Sequence, residues 1–266
     1  MIVTDMDCTF LDANKQIPQA NIDAVREAQA AGIHVSFGTG RYWKSLVKVI
    51  DGSLLKGPQV LDNGATIAMA PSGEIVYSAC LPASAVELTY RVAKERGFMP
   101  ILCNSNDYYA YDIDSFSDND MLLHKEYANA CASEAELLSH SAECCKMAFF
   151  AYQPEDETHA FCDELNRLYK ENALPVHGVF TEKEIIVIKL SNVNKMTGIR
   201  KACEIMGFST DDVVAVGDGD NDIEMLAGCG LGIVVANATE KAMAVATHVV
   251  GSCDDAGFAQ AVRMMM

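Results

Sequence analysis

The segment that decides the fold is Ile2-Val3-Thr4-Asp5-Met6-Asp7-Cys8-Thr9, a short β-branched strand followed at once by two carboxylates. A similar unit recurs near the other end of the chain. There the run Val213–Val216 is fully apolar, which is typical of a strand buried on both faces of a parallel sheet, and Gly217-Asp218-Gly219-Asp220-Asn221-Asp222 follows it. Strands and helical stretches alternate in the first and the last third of the chain, and Gln59-Val60-Leu61 is predicted as the third strand of the first third. The pattern predicts an α/β fold with a Rossmann-like, doubly wound, mostly parallel sheet.

The middle of the chain has a different pattern. It mixes helices with strand pairs and turn signals, and it contains a polar stretch from Asp112 to Asp120 and a predicted strand at Met147–Tyr152. Such a mixture is typical of an α+β module. The sequence therefore predicts a core built from residues 1–81 and 190–266, with an inserted α+β domain at 82–189. An insertion tethered at two points near a catalytic edge is expected to act as a lid.

Bulk composition narrows the possible partners. Half of the 266 residues are hydrophobic, so a large buried core is expected, and the formal net charge is −17. That charge argues against nucleic acid and against anionic membranes, whereas a small phosphate ester is possible where a metal and a few basic groups reverse the local field. No signal-peptide pattern or spanning apolar run is present, and ten cysteines lack C-x-x-C spacing. We expect a cytoplasmic protein with reduced thiols.

Four polar clusters follow predicted strands, where ligands bind in an open parallel sheet. They are Asp5 with Asp7, then Thr39, then Asp218 with Asp222, and Lys195, which follows Ile185–Leu190 and opens a helix. Each cluster alone has a simpler explanation: a helix cap, a solvated turn or a surface lysine. Their joint placement at one edge of one sheet favours a functional site.

The chemistry of that edge points to phosphoryl transfer. Crowded carboxylates repel one another unless a cation lies among them. Hard oxygen ligands without His or Cys favour Mg²⁺, while the Thr39 hydroxyl, nearby backbone N–H groups and the Lys195 ammonium offer donors for a phosphate. A divalent metal, an anion cradle and a spare carboxylate together suit a reaction through an aspartyl-phosphate.

The ordered motifs resemble motifs I to IV of the haloacid dehalogenase superfamily. Those motifs are Asp5-Met6-Asp7-Cys8-Thr9, Thr39 within Gly38-Thr39-Gly40-Arg41, Lys195, and Gly217–Asp222. Further details resemble its Cof-like branch of type IIB sugar-phosphate phosphatases: the Thr-Gly-Arg turn, Asn63-Gly64-Ala65 before a hairpin, the Gly-Asp-Gly-x-Asn-Asp-x-x-Met form at 217–225, and Asn237-Ala238. The resemblance implies a HAD-like core carrying a type C2B cap.

The resemblance also implies a role for each matching residue. Asp5 attacks phosphorus, and Asp7 protonates the leaving oxygen and then activates water. The phosphoryl group is held by Thr39, Gly40 and Lys195. Magnesium is ligated by Asp5, the Asp7 backbone carbonyl and Asp218, with Asp222 acting through water or by orienting the shell. The resemblance further implies that Asn221 contacts the phosphate or the nucleophile. It also implies that Arg41 and Asn63 lie at the substrate rim.

One position departs from the branch, because Cys8 stands where its members usually carry glycine. If the backbone there needs a positive φ, cysteine strains it. We expect activity to survive this change. A reactive thiol is the alternative interpretation, although a lone cysteine with no His nearby in sequence is more often inert.

The predicted function is a Mg²⁺-dependent phosphatase that hydrolyses small phosphorylated metabolites, with sugar phosphates as the expected class. One alternative is a phosphomutase or phosphotransferase that passes the group from Asp5 to another hydroxyl. The other is a non-enzymatic phospho-receiver or binding protein. Receivers place their aspartate after a later strand and lack a large insertion, which favours the phosphatase. The sequence predicts no particular protein partner and does not identify the ester.

Overall fold

The computed structural model describes residues 1–112, 128–150, 155–180 and 185–266. Within these ranges the chain divides into two compact units, 1–78 with 193–266 and 79–192. The sequence placed the corresponding insertion at 82–189. Residues 113–120 of the predicted polar stretch and the last two residues of a strand predicted at 147–152 lie outside the described ranges.

Strands and helices are numbered in chain order. The strands are β1 (Ile2–Thr4), β2 (Val35–Phe37), β3 (Gly57–Leu61), β4 (Thr66–Ala70), β5 (Glu74–Ser78), β6 (Pro100–Cys103), β7 (Tyr108–Tyr111), β8 (Ala128–Cys131), β9 (Lys146–Phe150), β10 (Val176–Phe180), β11 (Ile185–Leu190), β12 (Val214–Gly217), β13 (Leu231–Val235) and β14 (His248–Val250). The helices are α1 (Gln19–Ala30), α2 (Trp43–Val49), α3 (Ala83–Arg96), α4 (Glu134–Ser139), α5 (Glu155–Glu171), α6 (Lys195–Met206), α7 (Ile223–Gly228), α8 (Glu240–Val245) and α9 (Gly257–Arg263).

The first unit is built on a five-stranded sheet in the order β14-β13-β12-β1-β2. Every neighbouring pair is parallel. Strand β1 lies between β12 and β2, and the pairing of Thr4 with both Val216 and Phe37 brings the carboxyl ends of the three strands together. All three β1 residues are buried, as expected for a central strand covered on both faces. The predicted α/β fold with a parallel sheet is confirmed.

One predicted strand belongs elsewhere. The residues Gln59-Val60-Leu61 form part of β3, which pairs antiparallel with β4 in a separate sheet ordered β3-β4-β5. A single parallel bridge between Gly38 and Val60 joins this sheet to the end of β2. The predicted hairpin is present as β4 and β5, which turn at residues 71–73. This small sheet brings the loop after β3 to the carboxyl end of β2.

The second unit is an α+β module. Its six-stranded sheet has the order β10-β11-β9-β6-β7-β8, and its pairs are antiparallel except β7 with β8. Helices α3 and α5 contribute to a buried cluster in which Phe161 stacks on Phe98 and meets Phe149 edge to face. Strand β8 and helix α4 were not predicted, because four and six residues are too short to show a period.

The fold bears on two expectations from composition, which concern membrane-spanning helices and the cysteines. No helix in the described part of the chain is long and apolar enough to cross a bilayer. None of the ten cysteines is in a disulfide, and seven are buried, which agrees with their interpretation as small core residues.

Candidate active site

The two leading carboxylates follow the central strand directly. The Asp5 N–H donates to the Val216 carbonyl at 2.8 Å, so the ladder with β12 extends one residue beyond β1. The chain then turns around the buried Met6, whose carbonyl accepts from the N–H groups of Phe10 at 3.1 Å and Leu11 at 2.8 Å. Asp5 is consequently buried, at 7% exposure, whereas the side chain of Asp7 is 45% exposed.

Cys8 occupies the left-handed region, with φ of 58°. The expectation of strain at this position is therefore supported, because most residues other than Gly and Asn disfavour a positive φ. The turn is held from outside: Asn237 Nδ2 donates to the Cys8 carbonyl at 2.9 Å, and Asn237 Oδ1 accepts from the Cys253 N–H at 2.8 Å. Sequence reasoning quoted Asn237 only as part of a family segment and did not foresee this bracing role.

Replacing Cys8 by glycine tests the strain. Glycine adopts a left-handed conformation without a Cβ clash, so we expect C8G to raise the free energy of unfolding by about 0.5–1 kcal/mol. Urea denaturation of both proteins measures the difference. Cys8→Ala, which keeps the Cβ, is the matched control and is expected to show no gain. An equal gain from alanine would assign the effect to the thiol and contradict backbone strain.

Lys195 reaches the site on the first residue of α6. Asn194 caps this helix, because its side-chain oxygen accepts a hydrogen bond from the Thr197 N–H at 3.0 Å. In return, the Asn194 N–H donates to the Thr197 hydroxyl. The helix start packs on the turn after β3, where Gly64 has φ of 97° and any Cβ would collide with the Asn194 carbonyl. The expectation that Lys195 follows a strand of the parallel sheet is wrong, because β11 belongs to the six-stranded sheet.

The Lys195 ammonium joins two carboxylates. Its side chain is 0% exposed, and Nζ lies 2.6 Å from Asp5 Oδ1 and 2.6 Å from Asp222 Oδ1. The other Asp222 oxygen accepts from the backbone N–H groups of Asp218 and Gly219, both at 2.9 Å. Asp222 therefore fixes the loop after β12 and orients the lysine towards Asp5.

The loop after β12 needs glycine at its first position. A Cβ on Gly217 would lie 2.7 Å from Asp222 Cγ, closer than real side chains approach. Glycine here lets the Asp222 carboxylate fold back under the loop. Asp218 then receives a hydrogen bond from the Thr9 hydroxyl at 2.5 Å, which links the β12 loop to the β1 loop. Sequence reasoning missed Thr9, which stood in the quoted motif without an assigned role.

The site carries an excess of negative charge. Carboxylate oxygens of Asp5, Asp218 and Asp222 lie within 4.8 Å of one another. Burial, reinforced by the charges of its two acidic neighbours, raises the pKa of Asp5 to about 7 although Lys195 opposes the shift. Burial and Asp222 likewise raise the pKa of Asp218 to about 6. Burial alone would lower the pKa of Lys195, but the carboxylates outweigh it and raise that pKa.

This donor set fits a hard divalent cation. One ammonium lies among three carboxylates, so negative charge exceeds positive charge within the cluster, and the raised pKa values of Asp5 and Asp218 agree with this excess. Oxygen ligands alone suit Mg²⁺ or Ca²⁺ rather than a metal that prefers His or Cys. The geometry therefore fits a divalent-cation site, with Asp5 and Asp218 as the available ligands and Asp222 engaged with lysine and backbone.

The turn after β2 carries the remaining predicted residues. Thr39 is buried, its N–H donates to the Val60 carbonyl and its carbonyl accepts from the Asn63 N–H, both at 2.9 Å. Gly40 separates it from Arg41, and a Cβ on Gly40 would lie 3.1 Å from Asn63 Nδ2. Asn63 itself is left-handed, with φ of 54°, and its Oδ1 accepts from Asn221 Nδ2 at 3.1 Å.

Arg41 makes a contact that sequence reasoning did not foresee. Its Nε lies 2.9 Å from Asp7 Oδ2 and its Nη2 lies 2.6 Å from Asp7 Oδ1, a bidentate pair. The assignment of Arg41 to the substrate rim stays a prediction, and the structure adds that its guanidinium pairs with the predicted acid–base residue, Asp7. No sequence signal links positions 34 residues apart; only the adjacency of β1 and β2 brings them together.

A family model described as haloacid dehalogenase-like hydrolase matches residues 2–262. The chain belongs to the haloacid dehalogenase-like hydrolases. A putative HAD/COF-like hydrolase from Plasmodium vivax has a similar fold, with a TM-score of 0.81 at 22% identity, covering 99% of this chain and 94% of that one. The predicted family is confirmed, and membership in a hydrolase family argues against the non-enzymatic receiver.

Curated relatives extend the likeness. The putative phosphatase YkrA of Bacillus subtilis is 25% identical over 269 residues, covering 99% of this chain and 96% of the relative. A phosphoglycolate phosphatase of Methanoculleus marisnigri is 26% identical over 267 residues, covering 98% and 94%. An Arabidopsis thaliana protein named endoribonuclease YBEY, chloroplastic, is 25% identical over an alignment of 277 positions, which covers 98% of this chain but 45% of that protein. The predicted enzyme class, a phosphatase, is confirmed for the chain described here.

Proposed function

We propose that this haloacid dehalogenase-like phosphatase hydrolyses small phosphate monoesters with Mg²⁺, through a phosphoryl group carried on Asp5. The observation that supports this most strongly is the buried triad in which Lys195 bridges Asp5 and Asp222 at 2.6 Å each, with Asp218 beside it. A carboxylate held in place by an ammonium, and adjacent to a cation site, is a nucleophile prepared for a charged substrate.

In the first half-reaction an Asp5 carboxylate oxygen bonds to phosphorus while the ester P–O bond breaks. The leaving oxygen takes a proton from the Asp7 carboxyl, two residues away on the same turn. In the second half-reaction a water oxygen attacks the phosphorus, Asp7 accepts its proton, and the bond to Asp5 breaks to release inorganic phosphate. Magnesium, when bound by Asp5 and Asp218, would neutralise part of the charge on phosphate and carboxylates.

Lys195 and Thr39 are proposed to hold the phosphoryl oxygens. An ammonium has three N–H donors, and Asp5 and Asp222 take two of those of Lys195. The third is suited to a phosphate oxygen. The Thr39 hydroxyl already accepts from the Arg41 N–H at 3.2 Å, so its own proton can be donated to a second oxygen.

The Arg41–Asp7 pair bears on the proton transfers. The bidentate guanidinium holds both Asp7 oxygens in one orientation, and a carboxylate is the form of Asp7 that accepts the proton of the attacking water. The acid form needed earlier requires this pair to open, and a dianionic phosphate that draws the guanidinium away is the proposed trigger. Arg41 thus acts on the reaction by orienting Asp7 as well as by attracting substrate.

The proposed substrates are small phosphorylated metabolites, with sugar phosphates first. The relatives named above include one named for phosphoglycolate, which supports a small organic phosphate but not a particular one. Initial rates of phosphate release with Mg²⁺ over sugar phosphates, nucleotides, phosphoglycolate, flavin and pyridoxal phosphates test this proposal. Release from none of these classes would contradict it. A new phosphate ester formed without inorganic phosphate would favour the phosphotransferase alternative.

Magnesium binding has a readout that does not depend on turnover. Because Asp5 and Asp218 are under-compensated, Mg²⁺ at about 100 times its Kd is expected to add about 2.7 kcal/mol to the free energy of unfolding, or several degrees in Tm. Thermal unfolding with Mg²⁺ and with chelator measures this shift. Asp218→Asn removes one proposed ligand and is expected to lose most of the shift. An undiminished shift would place the metal elsewhere.

The substitution Asp7→Asn tests the acid–base role of Asp7 while leaving the fold intact. The half-exposed side chain supports little packing, so stability is expected to change by less than about 1 kcal/mol, while steady-state turnover falls about 10²–10⁴-fold. With p-nitrophenyl phosphate, whose leaving group needs no protonation, we expect a burst of about one equivalent of nitrophenolate before the slow phase. A variant with unimpaired steady-state turnover would remove Asp7 from the mechanism.

A further inference from the structure

Two thiols of the second unit lie in contact, and one of them is near the start of that unit. Cys80 Sγ lies 3.8 Å from Cys145 Sγ, and Cys80 follows the entry of the chain into this unit at residue 79. Cys145 is 2% exposed, whereas Cys80 is partly exposed. An oxidant in solution can therefore reach the first thiol, and the second lies directly behind it.

A backbone hydrogen bond joins the two segments next to the pair. The Leu81 N–H donates to the Cys144 carbonyl at 2.7 Å, one residue away from each cysteine. The sulfurs, which are 3.8 Å apart, must approach to a bond length of about 2.05 Å. Because this hydrogen bond holds the two backbones together, side-chain rotation is the movement that would close the gap.

We propose that Cys80 and Cys145 form a reversible disulfide when glutathione disulfide or a similar low-molecular-weight disulfide is the oxidant. The Cys80 thiolate attacks one sulfur of glutathione disulfide, the S–S bond breaks, and one glutathione leaves as thiolate. The Cys145 thiolate then attacks Cys80 Sγ, the mixed disulfide breaks, and the second glutathione leaves. The two protons lost by the protein thiols are taken up by the two departing glutathione thiolates.

The surroundings favour completion of the second step. The Ser105 hydroxyl lies 3.4 Å from Cys145 Sγ and holds the buried sulfur next to its partner. A contact of equal length elsewhere provides a comparison, since Cys229, also partly exposed, has its Sγ 3.8 Å from the Met196 sulfur. A thioether cannot complete an exchange, so Cys229 can stop at a mixed disulfide while the Cys80–Cys145 pair proceeds.

The bond is expected to stabilise the protein measurably. It would link residues 65 apart in the chain, and closing a loop of that size restricts the unfolded state. We expect the Tm to rise by about 5 °C or more. This inference does not depend on the proposed function, because none of its readouts is turnover.

The test is incubation of the full chain with excess glutathione disulfide, followed by alkylation, peptide mapping and thermal unfolding. The expected result is a Cys80–Cys145 disulfide with the Tm increase, both reversed by dithiothreitol. Cys229→Ser is expected to behave like the wild type, whereas Cys145→Ser retains glutathione on Cys80. Unmodified wild-type thiols, a stable glutathione adduct on wild-type Cys80, or a disulfide to any other cysteine would overturn the proposal. Because the disulfide is mapped on the wild-type protein, this result does not depend on whether either variant folds.

Discussion

Asp5→Asn is expected to reduce turnover of phosphate monoesters by at least about 10⁴-fold, because an amide cannot form the acyl-phosphate that the proposed reaction passes through. The fold is expected to persist. Asparagine keeps an oxygen that can accept from Lys195 Nζ, now 2.6 Å from Asp5 Oδ1, and the substitution removes one of the three crowded carboxylates. Initial rates and thermal unfolding of purified wild type and variant measure the two effects.

Asp220→Asn is the matched control for this change. Asp220 lies on the neighbouring loop but is paired outward with Lys241 at 2.6 Å and with Thr239 at 2.8 Å. Because exposed contacts contribute little to stability, we expect rates within about threefold of wild type and a Tm close to that of the wild type. If Asp5→Asn retained comparable activity, Asp5 could not be the nucleophile.

Lys195→Met is expected to cost both stability and activity. Removing one partner of a buried ion pair leaves uncompensated charge, which typically lowers the free energy of unfolding by about 3–5 kcal/mol, here a Tm decrease of roughly 6–15 °C. Turnover is expected to fall about 10²–10³-fold, because a donor to the transferring phosphoryl group is lost. Urea denaturation and initial rates at saturating Mg²⁺ report the two losses.

The stability loss in Lys195→Met is expected to depend on pH in a defined direction. The pKa of Asp5, already raised to about 7 in the folded protein, rises further without the lysine. A carboxyl whose folded-state pKa lies above its unfolded value gains folded-state stability as the pH falls through that folded pKa. The loss is therefore expected to be smaller near about pH 5 than near about pH 8. An equal loss at both would contradict the electrostatic explanation.

Lys201→Met provides the control on the same helix. Lys201 is 41% exposed and pairs with Glu204 at 2.8 Å across one turn. An exposed pair of this kind contributes little to stability, so stability and turnover are expected to stay close to wild type. If both lysine variants had the same effect, burial of the Lys195 ammonium would not be its cause.

Much of the fold could be predicted because local patterns of residues specify the strands and helices. The apolar run before Gly217 and the β-branched run before Asp5 have the composition of buried parallel strands, and both lie in the central sheet. Strand β3 was assigned correctly as a strand and misplaced in its sheet. Pairing partners depend on the whole fold, and no residue in Gln59-Val60-Leu61 distinguishes a parallel neighbour from an antiparallel one.

The site was partly predictable for the same reason. Residues that follow strands of one sheet meet at its carboxyl edge, so Asp5 and Asp218 could be placed together from their positions in the chain. The Arg41–Asp7 pair and the Thr9–Asp218 hydrogen bond depend on side-chain geometry that a motif does not encode. Lys195 was identified for its chemistry, but its position comes from the close contact of Gly64 with the start of α6.

The most direct measurement is the detection of phosphate on Asp5. Asp7→Asn enzyme, mixed with p-nitrophenyl phosphate and Mg²⁺ and quenched in acid, is expected to gain the mass of one phosphoryl group, because loss of the general base slows hydrolysis of the acyl-phosphate. Peptide mapping after borohydride reduction should assign it to the segment containing Asp5, and Asp5→Asn should show none. A phosphoryl group on another residue, or direct hydrolysis with no trapped phosphoenzyme, would contradict the account.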